Sequence, residues 1–245
     1  MEQSVFEVLG QKRLTRDVYE LKLAGPTGAI TRPGQFVMCR LPGFSLRRPI
    51  SVCSWDEAGL TLVYKVVGQG TRAMTQLAPG EKLDLLTGLG NGYDLSLSGP
   101  RPLLIGGGAG VPPLYGLCRA LRDQGKTPGV ILGFHTRDEV FYEEAFRALG
   151  AEVAVTTADG SYGTPGFVTD AMGQFAATCF YACGPMPMFR AIEKQAKIPG
   201  QYSLEARMGC GFGACMGCTI ETKDGPRRVC KEGPVFRREE LLWES

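Results

Sequence analysis

Glu205-Ala-Arg-Met-Gly-Cys210-Gly-Phe-Gly-Ala-Cys215-Met-Gly-Cys218, followed by Cys230 after eleven further residues, is the stretch on which the reading of this chain turns. Its C-x4-C-x2-C spacing with a distant fourth cysteine is the plant-type pattern for a [2Fe–2S] cluster. Gly209, Gly211, Gly213 and Gly217 suit a loop that needs positive φ and close backbone approach. Such a loop can aim its amide N–H groups at cluster sulfides, as other anion-holding concavities do. Four thiolates also bind zinc, but zinc sites usually pair two short knuckles, and only one C-x2-C is present.

The other five cysteines, Cys39, Cys53, Cys118, Cys179 and Cys183, are scattered, most of them in apolar company, and read as small buried hydrophobes. Nothing marks the chain as secreted, so a disulfide framework is not expected and a cytoplasmic location is. The opening Met1-Glu-Gln-Ser-Val5 is not the basic-then-apolar start of a signal peptide. The most apolar segment, Pro102–Leu117, is interrupted by glycines and prolines, so no membrane span is expected.

Upstream of the cysteine-rich stretch, strands alternate with helices. Pro102–Ile105, Val130–Phe134, Val153–Thr157 and Cys179–Ala182 read as strands, and helices are expected near 113–123, 140–149, 166–172 and 187–197. That rhythm means βαβ units and a parallel sheet. Residues 1 to about 97 read instead as β. The segments 5–9, 18–23, 35–41, 49–55 and 60–67 are short, rich in β-branched and aromatic residues, and separated by turn formers, with a short helix at 72–77. Many short strands at this spacing suggest a barrel. Gly88-Leu-Gly-Asn-Gly92 and Ser98-Gly-Pro100 are loop-like and mark the boundary. The expected domains are 1–98, 99–203 and 204–245.

With 245 residues, 44% hydrophobic and 21% charged, the chain is long enough for a real core. A balance of 27 Lys+Arg against 25 Asp+Glu argues against a basic nucleic-acid binder and against an acidic disordered chain. The single His135 excludes a multi-His metal site, and nothing beside it supports a nucleophile–His triad.

Three further patterns carry chemistry. Gly106-Gly107-Gly108-Ala109-Gly110 lies between a strand and a helix, where glycines allow a tight turn and the helix offers N–H groups to a pyrophosphate. The third glycine of a G-x-G-x-x-G match is Val111 here, so the run alone is weak. Cys183-Gly184-Pro185 strengthens it, because it ends a later strand of the same sheet and ligands sit at the carboxyl ends of such strands. Arg47-Arg48-Pro49-Ile50-Ser51 enters a strand, where an arginine can pair with phosphate and a hydroxyl can reach a ring nitrogen. Gly68-Gln-Gly70-Thr71 precedes a short helix and is either a second phosphate turn or an ordinary cap.

In this order the pieces resemble the ferredoxin–NADP reductase superfamily with a C-terminal [2Fe–2S] segment. The fold so implied is a β-barrel flavin domain, an α/β Rossmann-like nucleotide domain and a cluster segment. Within the superfamily the chain is most similar to the electron-transfer subunits of class 1B dihydroorotate dehydrogenase. The resemblance implies that Arg48, Pro49, Ile50 and Ser51 form the flavin signature, with Ile50 where the wider superfamily commonly has a stacking Tyr. It implies that Val63, Tyr64 and Lys65 form a second FAD-contacting strand and that Gly70 and Thr71 form the FAD pyrophosphate turn. Gly106, Gly107, Gly108, Ala109, Gly110, Cys183, Gly184 and Pro185 match the NAD side, and Cys210, Cys215, Cys218 and Cys230 match the cluster ligands.

The implied partner is an FMN-containing catalytic subunit that oxidises dihydroorotate to orotate in pyrimidine biosynthesis, in a heterotetramer with two of each chain and with NAD⁺ as final acceptor. The absence of a nucleophile–base pair in the sequence is what an electron conduit would show. The alternative is the small subunit of an NADH- or NADPH-dependent ferredoxin reductase or another iron–sulfur flavoprotein reductase. In the NADH-dependent ferredoxin–NADP reductase group an acidic residue tends to stand where Cys210 does, so Cys210 favours the dihydroorotate reading. A reading from another class, a zinc-stabilised interaction module, would give a colourless protein. Arg137 beside Asp138 and Glu139 leaves the choice of NADH or NADPH open on charge, and the resemblance leans to NADH.

Overall fold

In the computed structural model, which describes residues 1–243, the N-terminal third closes into a six-stranded antiparallel barrel. Its strands are β1 (Glu2–Arg13), β2 (Val18–Ala24), β3 (Phe36–Arg40), β4 (Arg48–Trp55), β5 (Gly59–Lys65) and β6 (Lys82–Leu89), with a short helix α1 (Gln69–Met74) after β5. Around the barrel the order is β1-β2-β5-β4-β3-β6. Alternating residues such as Phe6, Val8, Leu21, Leu23, Leu83 and Leu85 fill the interior.

The sixth strand is one that the sequence reading lacks. Its burial alternates along Lys82–Leu89, but the Leu85-Leu86 pair hides the period and Gly88, at φ 65°, reads as loop. The helix α1 also starts three residues earlier than expected, so Gly70 and Thr71 lie inside its first turn rather than before it.

A seven-stranded sheet follows. It is built from β7 (Pro102–Gly107), α2 (Val111–Asp123), β8 (Gly129–Phe134), α3 (Glu143–Ala148), β9 (Glu152–Thr157), β10 (Thr164–Pro165), α4 (Val168–Ala171), β11 (Cys179–Cys183), α5 (Met186–Gln195) and β12 (Gly200–Ser203). The core strands are parallel, in the order β10-β9-β8-β7-β11-β12. The chain steps outward from β7 to β9 and then returns to place β11 on the other side of β7. The order therefore reverses between β7 and β11, which makes the crevice at their carboxyl ends the topological switch point where ligands bind in open α/β sheets.

The cysteine-rich segment carries a hairpin, β13 (Thr219–Thr222) with β14 (Gly225–Arg228), and then β15 (Val235–Arg237), which pairs antiparallel with β12 as the sheet's edge. Sequence reading lacks β12 and β15 because each is very short. Gly-Gln-Tyr-Ser has the look of a polar loop, yet all four residues are buried.

Barrel and sheet share their cores. Cys53 and Val63 of the barrel pack with α2 and one sheet face, while Phe36, Met38 and Leu89 pack with the other face, α5, Cys218 and Cys230. The helix α2 lies on β4: a Cβ on Gly116 would come within 2.7 Å of the Cys53 carbonyl oxygen, and Arg119 donates to the Trp55 carbonyl at 2.5 Å. Among the described residues no helix is long and apolar enough to cross a membrane.

Candidate cofactor sites

The two adjacent arginines entering β4 have separate tasks. Arg47 is locked into the barrel: its Nη1 donates to the carbonyls of Met38 and Asp84 and, at 2.8 Å, to the Asp84 carboxylate. That pairing, chiefly, holds the Asp84 carboxyl below the ordinary range against the opposing effect of burial, with Gln3 also donating to it. Arg48 turns the other way. Its guanidinium lies over the Phe44 ring at 4.8 Å, and Nη1 donates to the Leu46 carbonyl.

Arg48 also covers the first turn of α1. A Cβ on Gly70 would stand 2.0 Å from Arg48 Nε. Two motifs separated by more than twenty residues in sequence thus form one cradle, with a cation over a glycine-bared backbone, which suits a pyrophosphate. Thr71 supports the turn itself: its hydroxyl accepts from the N–H groups of Val67 and Gly68. Pro49, Ile50 and Ser51 are half-buried and follow Arg48 along β4.

The second strand of the expected flavin contacts, β5, divides its residues differently. Val63 is buried against the α2 side. The Tyr64 ring lies 6.0 Å from Tyr19, and its hydroxyl is bonded to Gln11, so this side chain serves the barrel core. Lys65 pairs with Asp17 at 3.3 Å.

At the switch point the glycine run and Cys183-Gly184-Pro185 come together. Gly106 pairs with Cys183 in register. A Cβ on Gly110 would meet the Cys183 carbonyl oxygen at 2.1 Å, and one on Gly184 would meet the Gly107 nitrogen at 3.2 Å. Met188 packs over both Gly107 and Gly184. Gly106 and Gly110 are buried, whereas Ala109 and Pro185 are exposed. The result is a backbone-lined junction, with Gly107 and Gly108 half-buried, at the strand ends where α/β sheets take a dinucleotide. Pro112 and Pro113 open α2 and remove two of the N–H groups that a helix start would otherwise present, so the glycine loop carries more of any phosphate contact. Burial pushes the Cys183 thiol up to about 12, and the Glu205 carboxylate adds to the effect, so Cys183 is an uncharged lining group.

The cysteine-rich loop is folded around sulfur. The N–H groups of Ala214 and Cys215 donate to Cys210 Sγ at 3.2 and 3.4 Å, and Cys230 N–H donates to Cys218 Sγ at 3.4 Å. Cys218 and Cys230 Sγ stand 3.2 Å apart, and all nine cysteines are free thiols. Burial raises the Cys210 thiol, but backbone N–H groups of Cys215, Phe212 and Ala214 outweigh it and bring the group to about 6. A loop that already stabilises thiolate fits an iron–sulfur cluster. Among the described residues no three His, Cys, Asp or Glu side chains converge on one metal position: Cys218 and Cys230 stand together, and the four cysteines do not close into one cage.

The loop spans from barrel to surface. Gly211, at φ 82°, packs on Met38: a Cβ there would stand 2.6 Å from Met38 Cγ. Met38 pairs in register with Pro49, the neighbour of Arg48. At the other end Cys215 is exposed, beside exposed Phe212 and Met216. Sequence reading missed Met38 and also Asn91, which binds the chain after Cys230. An asparagine between two glycines was the one signal available for it. The five scattered cysteines are all buried, as expected. His135 is exposed, and its backbone N–H, not its ring, is bonded to Glu139.

Comparison with known proteins agrees with this geometry. The sequence profile of the iron–sulfur cluster binding domain of dihydroorotate dehydrogenase B matches residues 205–242, and that of the oxidoreductase NAD-binding domain matches 104–194. The electron transfer subunit of dihydroorotate dehydrogenase B (NAD(+)) from Geobacillus sp. (strain WCH70) is 41% identical over 99% of both chains. Its counterpart from Bacillus cereus (strain B4264) is 42% identical over 96% of this chain and 97% of the relative. Among solved structures, an NADH-dependent reduced ferredoxin-NADP oxidoreductase chain superposes with a TM-score of 0.88 at 30% identity, covering 98% of this chain and 90% of that one. A ferredoxin NADP⁺ reductase from Neisseria gonorrhoeae, at 15% identity and a TM-score of 0.68 over 79% of this chain and 90% of its own, shares the fold. With this similarity running over almost its whole length, the chain belongs to the family of electron transfer subunits of the NAD⁺-dependent dihydroorotate dehydrogenase B.

Proposed function

We propose that this chain carries electrons between a dihydroorotate-oxidising partner subunit and NAD⁺, through FAD and a [2Fe–2S] cluster, in pyrimidine biosynthesis. The observation that carries the reading is the reach of the cysteine loop, which touches Met38 in the barrel at Gly211 and surfaces at Cys215. In this reading residues 1–98 hold FAD, 99–203 hold NAD, and 204–245 hold the cluster through Cys210, Cys215, Cys218 and Cys230. When bound, NAD supplies hydride exchange, FAD the conversion between paired and single electrons, and the cluster one-electron transfer.

The chain's own residues bind and orient. Arg48 neutralises the FAD pyrophosphate above Gly70 and the turn held by Thr71, while Pro49, Ile50 and Ser51 line the flavin. Val63, Tyr64 and Lys65 form the strand behind it. Gly106, Gly107, Gly108, Ala109 and Gly110 admit the NAD pyrophosphate close to backbone, and Cys183, Gly184 and Pro185 bound the nicotinamide side. The backbone N–H groups of Ala214, Cys215 and Cys230 stabilise thiolate at the cluster.

The partner in this reading is the FMN-holding catalytic subunit, two copies of each chain form the complex, and the complex works in the cytoplasm. A second reading, a ferredoxin-linked reductase, rests on the 30% identical structural relative. The higher identity of the dihydroorotate relatives favours the first.

The test is co-expression with a dihydroorotate-oxidising partner, anaerobic purification, assay of dihydroorotate-dependent NAD⁺ reduction, and analysis for FAD, iron and acid-labile sulfide. Activity that requires both chains and disappears in Cys215→Ser, with FAD and partner still bound, supports the reading. FAD and iron without activity would transfer the chain to the ferredoxin-linked class, and zinc without flavin would overturn both.

A further inference from the structure

The strand β6 leaves the barrel through Gly88-Leu-Gly-Asn-Gly92, which sequence reading treats only as a boundary loop. Asn91 there commits its hydrogen-bonding groups to the chain just beyond Cys230. Its backbone N–H donates to the Gly233 carbonyl at 2.7 Å. Its Nδ2 donates to the carbonyls of Glu232 at 2.9 Å and Val235 at 2.7 Å, and its Oδ1 accepts from Val235 N–H at 3.1 Å. Both amide hydrogens and the amide oxygen are therefore used. The neighbouring Gly90 is needed for the close approach: a Cβ on it would stand 2.5 Å from Pro234 Cδ.

These bonds join two parts of the chain about 140 residues apart. One end is the exit of the barrel. The other is the short stretch between Cys230 and the edge strand β15. The second seat of the cysteine loop is the contact of Gly211 with Met38. Cys210 and Cys230, the first and last of the four, thus each lie a few residues from a fixed attachment to the barrel. No other side chain in the barrel makes three hydrogen bonds to the backbone of the cysteine segment among those described.

We propose that Asn91 is a positioning residue for electron transfer, holding the strand segment behind Cys230 against the barrel and so setting the geometry between flavin and cluster. This rests on the reading of the barrel as the FAD site and of the four cysteines as the cluster site. With NADH as donor, hydride carries two electrons and leaves NAD⁺. The cluster that the four cysteines would hold takes electrons one at a time, so it would draw on the flavin in a second, separate transfer. Among the described residues the hydrogen bonds of Asn91 go to Glu232, Gly233 and Val235, and none goes to the glycine run, Cys183–Pro185 or Arg48, so its loss is expected to act on the second transfer and spare the first.

The experiment uses the co-expressed two-chain complex with Asn91→Ala. Anaerobic stopped-flow mixing with NADH follows flavin bleaching and cluster bleaching separately. Electron paramagnetic resonance of the reduced cluster and hydrogen exchange at the Val235 amide accompany it. The expected result is flavin bleaching at the wild-type rate, cluster bleaching slowed several-fold, an altered cluster signal and faster exchange at Val235. Wild-type rates in both phases would overturn the proposal. Equal slowing of both phases would also overturn it, because it marks a general structural role. If Asn91→Ala does not accumulate with FAD bound, Asn91→Ser, which loses both Nδ2 bonds, takes its place under the same criteria for the two bleaching phases and the cluster signal. Failure of NADH to bleach flavin in the wild-type complex would instead overturn the conduit reading, and this proposal with it.

Discussion

Gly110 and Cys183 touch backbone to backbone: a Cβ on Gly110 would stand 2.1 Å from the Cys183 carbonyl oxygen and 2.6 Å from the Gly184 nitrogen. The glycine run after β7 and the Cys-Gly-Pro turn after β11 are therefore two walls of one crevice, closed at its base by this contact. Neither wall can yield, because the obstructing atoms are main chain in a buried strand end. Gly110→Ala is expected to cost about 1–3 kcal/mol or more of stability, the usual toll of overpacking. It should also abolish NADH-dependent flavin reduction. A thermal melt and an anaerobic NADH titration check both, and wild-type behaviour in the two would remove the crevice from the nucleotide site.

Arg48 and Arg47 should separate in the same kind of assay. Arg48→Ala removes the cation over Gly70 while leaving the barrel's internal ion pair intact, so it is expected to weaken FAD retention with little change in the melting temperature of the apoprotein. Arg47→Met should do the reverse. Flavin released on desalting, measured by fluorescence, distinguishes them. Equal FAD retention in the wild type and Arg48→Ala would contradict the cradle.

How much of this was legible in advance depends on range. The cysteine spacing, the glycine run and the Arg48–Ser51 signature are local patterns, each contained in a short window of sequence. The meeting of Arg48 with Gly70 and of Gly110 with Cys183 depends on strand register, which motifs do not encode. The strand β6 escaped because Leu85-Leu86 masks its alternation, and β12 because buried Gln201 and Ser203 imitate a loop. Gln201 is buried through its two hydrogen bonds to the Asp94 backbone, a long-range partner that no window of sequence contains. Tyr64 stands in the expected strand, and the packing of its ring and the bond of its hydroxyl to Gln11 depend on barrel closure, which the motif does not encode.

Thiol chemistry offers a check that is independent of activity. Cys39, Cys53, Cys118, Cys179 and Cys183 are all buried, and desolvation pushes Cys39, Cys53, Cys118 and Cys183 up to about 12. Cys215 is exposed, and Cys210, at about 6, is partly so. The thiolate is the reactive form. In folded protein stripped of iron, iodoacetamide should therefore label Cys210 and Cys215 first and spare the five scattered cysteines, as read by peptide mass spectrometry. In the iron-loaded protein the first two should be protected as well. Early labelling of Cys39 or Cys183 would mean that the barrel or the switch-point crevice opens far more readily than this packing implies.

The Arg47–Asp84 pair sets a pH dependence whose sign follows from its geometry. Asp84 carries a carboxyl held below its ordinary value of 3.8, first by the hydrogen bond from Arg47 and against the effect of burial. A depressed folded-state value means that the stabilisation is fully present above the ordinary carboxylate range and is lost as pH falls through the folded value. The pair is only about one-fifth exposed at each end, so its worth should lie at the upper end of surface pairs, about 1 kcal/mol. Wild type should accordingly melt above Arg47→Met by a constant margin from neutral pH down to the ordinary carboxylate range, and the margin should shrink below it. It should not vanish, because Arg47 also donates to the carbonyls of Met38 and Asp84, and those bonds do not titrate. A margin that stays constant into strong acid would show that these carbonyl bonds, and not the ion pair, account for the contribution of Arg47 to the barrel.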